Sequence, residues 1–351
     1  MQLLLSSFTS VLSTIGYVIL AILVLMFMIT IHEFGHYIAG KKLGFKINEF
    51  SIGFGKSIFS KTLKSGEKFS IRLIPLGGYC AFDGEDASST DPNAFNNKHP
   101  FKRLVVLFMG AFFNFLSAII FSFILLVGFG FDIPEVKEVT STVNTNIQVG
   151  DVITKVDNEK ITFIDNKYLP NLIQKKEVGS TITLTIIRNG KVIEEDVVVH
   201  ESTPDKNGNT SKVIGVNTMA HKYGFFEALG RSFVLTFELA YYVLKILFLL
   251  ITFRLPIKSL GGPITTITTI ATQSQANIAS LFVMLPLIAA NLAVFNWLPF
   301  PALDGSRMVF TTIEWIRKKP INPKIEGTIH TVGLWILMTF VIVVDIIQLF
   351  T

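Results

Sequence analysis

One cysteine, Cys80, stands in 351 residues, so no intrachain disulfide braces the fold and cysteine usage says nothing about compartment. Charge is scarce as well, with Asp, Glu, Lys and Arg making up 16% of the chain while half of it is hydrophobic. The 31 Lys and Arg leave a formal charge of +5, but they gather in loops beside apolar runs. That placement speaks for membrane orientation and against a nucleic-acid partner. Histidine is rare too, at six residues. No cleavable leader is expected, because the first apolar run carries a chemical motif at its end. What is there is the composition of a polytopic membrane protein with some soluble mass, at a mean hydropathy of +0.53.

Two of the six histidines fall in one five-residue window, Ile31-His32-Glu33-Phe34-Gly35-His36-Tyr37. The window ends an apolar run from about Ile15 to Thr30, so it continues that run's helix. At roughly 100° per residue, His32 and His36 project from nearly the same face, one turn apart. Two imidazoles so placed can grip one Zn²⁺, with Glu33 near enough to take a proton from water that the ion acidifies. The competing reading is a pair of histidines that glue helices or bind another metal. Ionisable groups inside a membrane segment are costly, which favours a functional role.

In chain order, Val11 to about Ala39 forms the first span. The region from Lys41 to Arg103 is rich in lysine, which makes it cytosolic and puts the N-terminus outside. Within it, Phe45–Phe54 and Lys68–Ala81 are expected as strands of an apolar, glycine-rich hairpin at the bilayer edge, offering an open edge to an extended peptide. A surface hairpin without a role is the alternative. Asp83–Lys98 reads as a mobile polar loop, and Arg103 to about Phe131 as the second span. Gly110 and Asn114 sit near its cytosolic end, where either helix packing or a hydrogen bond to substrate or the catalytic helix accounts for them. Pro134 to about Val216 alternates as strands do, with a short helix in Asp165–Lys175 and a hairpin turn at Arg188-Asn189-Gly190-Lys191. This order resembles one PDZ domain, without an obvious carboxylate-binding loop. Leu235–Phe253 is apolar enough to cross a bilayer, yet Glu238, Tyr241, Tyr242 and Lys245 interrupt it as in an interfacial helix.

Leu281–Leu298 is the next clear span and runs into Asn296-Trp297-Leu298-Pro299-Phe300-Pro301-Ala302-Leu303-Asp304-Gly305. Two prolines break the helix and leave irregular backbone at membrane depth, tolerated only where buried or lining a wet cavity. Asp304 is the expected third metal ligand, against the simpler view that it only caps a helix from Ser306 to Trp315. Val332–Phe350 forms the last span. His36 and Asp304 must reach one ion, so an even number of crossings separates them. Four spans result, with Leu235–Phe253 lying along the outer surface and both termini extracytoplasmic. The remaining histidines, His99, His200, His221 and His330, are expected in loops, outside, or away from the break.

With these motifs together, His32-Glu33-Phe34-Gly35-His36, Gly110 to Asn114, one PDZ-like insert and Asn296…Pro299…Asp304-Gly305, the chain resembles the site-2 proteases. The similarity is to bacterial intramembrane zinc metalloproteases of the regulator-of-sigma-E type and covers essentially the whole length. It implies a polytopic α-helical fold with four transmembrane helices, a membrane-associated β-hairpin and one extracytoplasmic PDZ domain. The segments are 1–39, 40–102 (hairpin and loop), 103–131, 132–222 (PDZ-like), 223–262 (interfacial helix), 263–306 and 307–351.

The resemblance further implies Zn²⁺ as cofactor, His32, His36 and Asp304 as ligands and Glu33 as the catalytic glutamate. Asn296 and Pro299 would hold unwound substrate, with the hairpin residues Gly77, Gly78 and Tyr79 pairing with it; Asn114 joins them as a substrate-binding candidate. The substrates implied are single-span membrane proteins of the anti-sigma-factor kind and remnant signal peptides, cut after a first protease has trimmed them. The location implied is the bacterial inner membrane, in contact with lipid, with the active site near the cytosolic face. Two rivals remain, a cation transporter and a membrane-anchored PDZ scaffold with a structural metal. The first predicts that Glu33→Gln spares function; the second needs a fourth protein ligand, and no cysteine or further histidine lies near.

Overall fold

The computed structural model describes residues 2–350 except 86–88, 132, 141–143, 145, 205 and 207, and no side chains of 2–10, 323 and 349. The chain divides into two compact units, residues 1–121 with 239–351 and residues 122–238.

The first unit begins with α1 (Gln2–Lys42), a proline-free helix with Lys41 and Lys42 in its last turn. Val11, Leu12, Ile15, Ile19, Leu23 and Phe27 recur at three or four residues on its exposed face. Ala21, Met28, His32, His36 and Ala39 are buried on the other. The stripe facing outward is the apolar one, as a helix in lipid requires.

The hairpin follows as β1 (Ile47–Thr62) and β2 (Lys68–Phe82), longer at β1 than the sequence pattern suggested. Both strands fold back on themselves. Phe50 lies opposite Cys80 on one side and Phe69 on the other, while the far half of β1 pairs from Ser57–Arg72 to Thr62–Lys68. The bend in β1 uses Gly53, whose φ is +86° and where a Cβ would lie 2.8 Å from the Ile74 carbonyl. Only glycine fits such a position. The loop after β2 is pinned by Lys46 N–H to Asn93 O and by Phe95 N–H to Asp83 O, with Phe95 buried; residues 86–88 of it lie outside those described.

The second unit takes in β3 (Pro134–Val139), β4 (Val152–Val156), β5 (Glu159–Lys160), the short α3 (Leu169–Gln174), β6 (Thr181–Arg188) and β7 (Lys191–Val198). β8 (His200–Glu201), β9 (Lys212–Val213) and β10 (Val216–Ala220) complete it. The antiparallel order is β10-β3-β4-β6-β7, with β5 paired to β4. Asn189 and Gly190 turn β6 into β7 at φ +51° and +76°, as the Asn-Gly pair foretold. Ile153, Ile161, Leu172, Leu184 and Ile186 form a dry centre.

Four long helices complete the set: α2 (Pro100–Gly128), α4 (Phe225–Ile251), α6 (Ile278–Trp297) and α8 (Pro323–Phe350), with α5 (Pro263–Ala276) and α7 (Asp304–Arg317) between the last three. Five helices, α1 among them, are long and apolar enough to cross a membrane, where four spans were expected; the additional one is α4. The segment 263–306 is not one element. α5 ends at Asn277, whose side chain accepts from the Ala279 N–H and caps α6. Asp345 caps α5 from α8, accepting from the N–H groups of Ile264 (3.2 Å) and Thr265 (3.1 Å).

Candidate metal centre

α1 brings His32 and His36 one turn apart, and the chain break after α6 delivers Asp304. Pro299 and Pro301 end α6, Ala302 takes a φ of +77°, and Asp304 starts α7 as its first residue. Its carboxylate does not cap the helix; Leu303 occupies that place without a side-chain bond. Instead Asp304 Oδ2 lies 3.0 Å from His32 Nε2 and 3.1 Å from His36 Nε2, and the two nitrogens are 3.2 Å apart. Four-coordinate zinc with bonds of about 2.0 Å separates its ligand atoms by about 3.3 Å, so the triangle has the right size.

The chemistry of the three atoms also suits a cation. His36 donates from Nδ1 to the Val106 carbonyl at 2.9 Å, so a neutral ring turns its Nε2 lone pair inward. That lone pair meets Asp304 Oδ2, which is buried and lacks a hydrogen-bond partner. Converging lone pairs repel unless a positive ion lies between them. These three residues are the group of this kind found among the described residues.

Close helix packing makes the site possible. A Cβ on Gly35 would fall 2.2 Å from the Met109 carbonyl, and one on Gly110 would fall 2.2 Å from His36 Nε2. Both glycines are therefore required for α1 and α2 to approach this closely. Asn114, fully buried on α2, sits beside the other histidine of the pair, with its side-chain nitrogen 3.4 Å from His32 Nδ1. It touches the ligand rather than an open cleft. Arg103 holds α2 to α7 through a buried 2.6 Å pair with Glu314.

A cavity of about 360 Å³ opens on the site and is lined by His32, Glu33, His36, Tyr79, Cys80 and Asp304, among others. Glu33 accepts from the Cys80 backbone N–H at 3.0 Å. Gly78 lies beside it, where a Cβ would be 3.7 Å from Glu33 Cγ, and Gly77 faces Phe54. Asn296 bonds its own helix at Leu292 O (3.0 Å), and Pro299 is exposed in the break. Neither lines this cavity. Burial, then the negative charge of Glu33, pushes the Cys80 thiol up, so it is a poor nucleophile.

Two features escaped the sequence. His330 was expected away from the break, yet its Nδ1 accepts from the Ala302 N–H at 3.1 Å and holds this strained residue, two before Asp304. Its sign was faint, a lone histidine one turn beyond Glu326 on a long apolar helix. Arg307, one turn after Asp304, lines the same cavity and pairs with Glu85 of the loop after β2.

Residues 20–340 match peptidase family M50. The chain is 32% identical to a protein of Clostridium perfringens that carries the provisional name of zinc metalloprotease, over 94% of this chain and 97% of that one. It is 28% identical to zinc metalloprotease RasP of Oceanobacillus iheyensis, over 93% of this chain and 98% of that one. Residues amounting to 26% of the chain also align with the whole of a PDZ-domain crystal structure from an SdrC-like protein of Listeria innocua, at 25% identity and a TM-score of 0.20.

Proposed function

Because the chain belongs to peptidase family M50 and is a zinc metalloprotease, we propose that it cuts within or beside the transmembrane segment of single-span proteins already shortened by another protease. The observation that carries the reading is the convergence of His32, His36 and Asp304 at the end of an apolar helix, next to a cavity containing Glu33. In this reading those three hold the ion and Glu33 moves the proton. Bound zinc supplies Lewis acidity, polarising a carbonyl and lowering the pKa of water toward neutral.

Each residue's part follows from its setting. His36 is held in its ligating tautomer by Val106, whose carbonyl accepts from Nδ1, while Asn114 sets its side-chain nitrogen against His32 Nδ1 and so positions that ring. That reassigns Asn114 from substrate to ligand. A transmembrane helix hides its amides in its own hydrogen bonds and must unwind before hydrolysis. The edge of β2 offers replacement partners beside the metal, from Gly78 to Phe82. Asn296 and Pro299 help hold the unwound substrate segment, and residues 132–222 act as a PDZ-type filter outside the membrane.

The lysine-rich loops put the metal near the cytosolic face, with four crossings and α4 along the outer surface. Glu238 supports this, since midway along α4 it pairs with Arg231 of the same helix (2.8 Å) and with Lys160 of β5 (3.7 Å). A cysteine at Lys258 then reacts with an impermeant maleimide from outside; if α4 crosses, it is shielded.

The deciding assay uses a truncated single-span substrate with wild type, Glu33→Gln and Asp304→Asn. Glu33→Gln should keep its zinc and stop cutting, and Asp304→Asn should lose both. Equal product from all three would defeat the reading.

A further inference from the structure

Within the hairpin sheet, residues Gly78 to Phe82 pair with β1 on one side, and among the described residues no strand covers the other. On the proteolytic reading, on which this inference rests, an extended substrate adds there. Backbone groups along an edge strand point alternately toward the sheet and away from it. Cys80 points away, yet its N–H is occupied: it donates to Glu33 Oε2 at 3.0 Å. Two residues on, the Phe82 N–H reaches Glu85 Oε2 at 3.5 Å, a weaker contact of the same kind. Successive outward amides are thus held by acidic side chains, and the first of these belongs to the group that must move a proton at the metal.

Glu33 occupies the place of a strand partner's carbonyl oxygen. An added strand lies about 4.8 Å away with its oxygen about 2.9 Å from the amide, leaving no room for a carboxylate between them. One donor then has two claimants. We infer that the Cys80 N–H is an exchange point: it restrains Glu33 in the resting enzyme, and a substrate strand takes over the amide and releases the carboxylate into the metal cavity. The swap conserves hydrogen bonds, since the amide keeps an acceptor and Glu33 gains water. The base is free only when a substrate is paired, which keeps the resting site from acting on whatever drifts in.

Because Cys80 is the chain's one cysteine, labelling with ¹⁵N-cysteine gives a single amide signal. Full-length, metal-free protein in nanodiscs is titrated with a blocked apolar peptide of about six residues, one strand in length. The Cys80 amide proton should move as the peptide binds, saturating in step with peptide anisotropy, and Glu33→Gln should shift the starting position. An amide signal that stays put while the peptide binds overturns the inference, and so does a peptide that fails to bind.

A second arm replaces the residue 80 amide by an ester, and separately tests Cys80→Pro, both read against Cys80→Ala, which keeps the N–H. Loss of one hydrogen bond to substrate should raise KM roughly threefold to tenfold, with kcat held or increased. A fall in kcat at unchanged KM would mean that Cys80 permanently aims Glu33, and the exchange is wrong. If both variants misfold, the resonance titration decides. Absence of cleavage by wild type would sink the protease reading alone, since the titration needs no turnover.

Discussion

In the sheet of residues 134–220 most buried side chains are aliphatic and the surface is largely polar, with Ile153, Leu184 and Ile186 inside and Lys191, Glu194 and Asp196 at or near the surface. Among α1, α2 and α7 polar and charged side chains share the interior with small and apolar ones, and large apolar ones face outward. There the interior holds His32, His36, Arg103, Asn114 and Glu314, while Leu23, Phe27 and Ile120 face outward. The sheet gains its stability from removing apolar surface from water. The helices cannot, because lipid is as apolar as their own side chains, so small residues, buried ion pairs and the metal ligands must hold them together. One chain therefore contains two packing regimes that fail in different ways.

The sharpest way to separate them is chemical. Glu33→Gln should lower turnover roughly a hundred- to ten-thousand-fold without shifting the melting of either region, measured by single-turnover cleavage beside calorimetry. Gly110→Val comes next. Its side chain has no room beside His36 Nε2, so most of the bound zinc should be lost while the sheet still melts as in wild type; metal analysis and calorimetry check both.

Leu172→Ala is the mirror image. It should destabilise the sheet by about 2–5 kcal/mol in a denaturant titration and leave the zinc content alone. Such a result for Gly110, or zinc loss for Leu172, would erase the distinction.

The smallest effect concerns the hairpin's attachment to α1. Burial works to raise the Glu67 carboxyl, but hydrogen bonds from Lys41, Ser65 and Tyr37 outweigh it and hold the group down at about 2. A carboxyl held below its unfolded value stabilises the fold above that value and gives this up as pH falls through the folded one. Protection of residues 62–68 from proteolysis should thus decline between about pH 4.5 and about 2. Glu67→Gln should remove that dependence.

The sequence disclosed most where one short pattern carried both the geometry and the chemistry. A period of 3.6 puts His32 and His36 on one face of any helix, and Asn189-Gly190 turns a hairpin in almost any sheet. Asp304 was legible for a different reason, since two prolines beside an acid leave few structural uses at membrane depth. The limits lie where tertiary contact decides. His330 gives no local sign that it will reach back 28 residues to the Ala302 N–H. Asn114 was open to two readings, a substrate contact or a bond to the catalytic helix, because the spacing of α2 reveals its depth but not which neighbour it faces; it lies beside His32. The doubled-back pairing of β1 was hidden because Gly53 and Gly55 mark bends without saying what the bends bring together.

The carboxylate of Asp345 closes the first turn of α5 across 81 residues of sequence, and α5 packs against α1. The ribosome makes α5 well before the residue that completes it. Until α8 is in place, the amides opening α5 lack the Asp345 carboxylate, and a buried donor without a partner is expensive. Assembly of this half of the molecule therefore waits on a helix that follows α5 by two further helices in the chain.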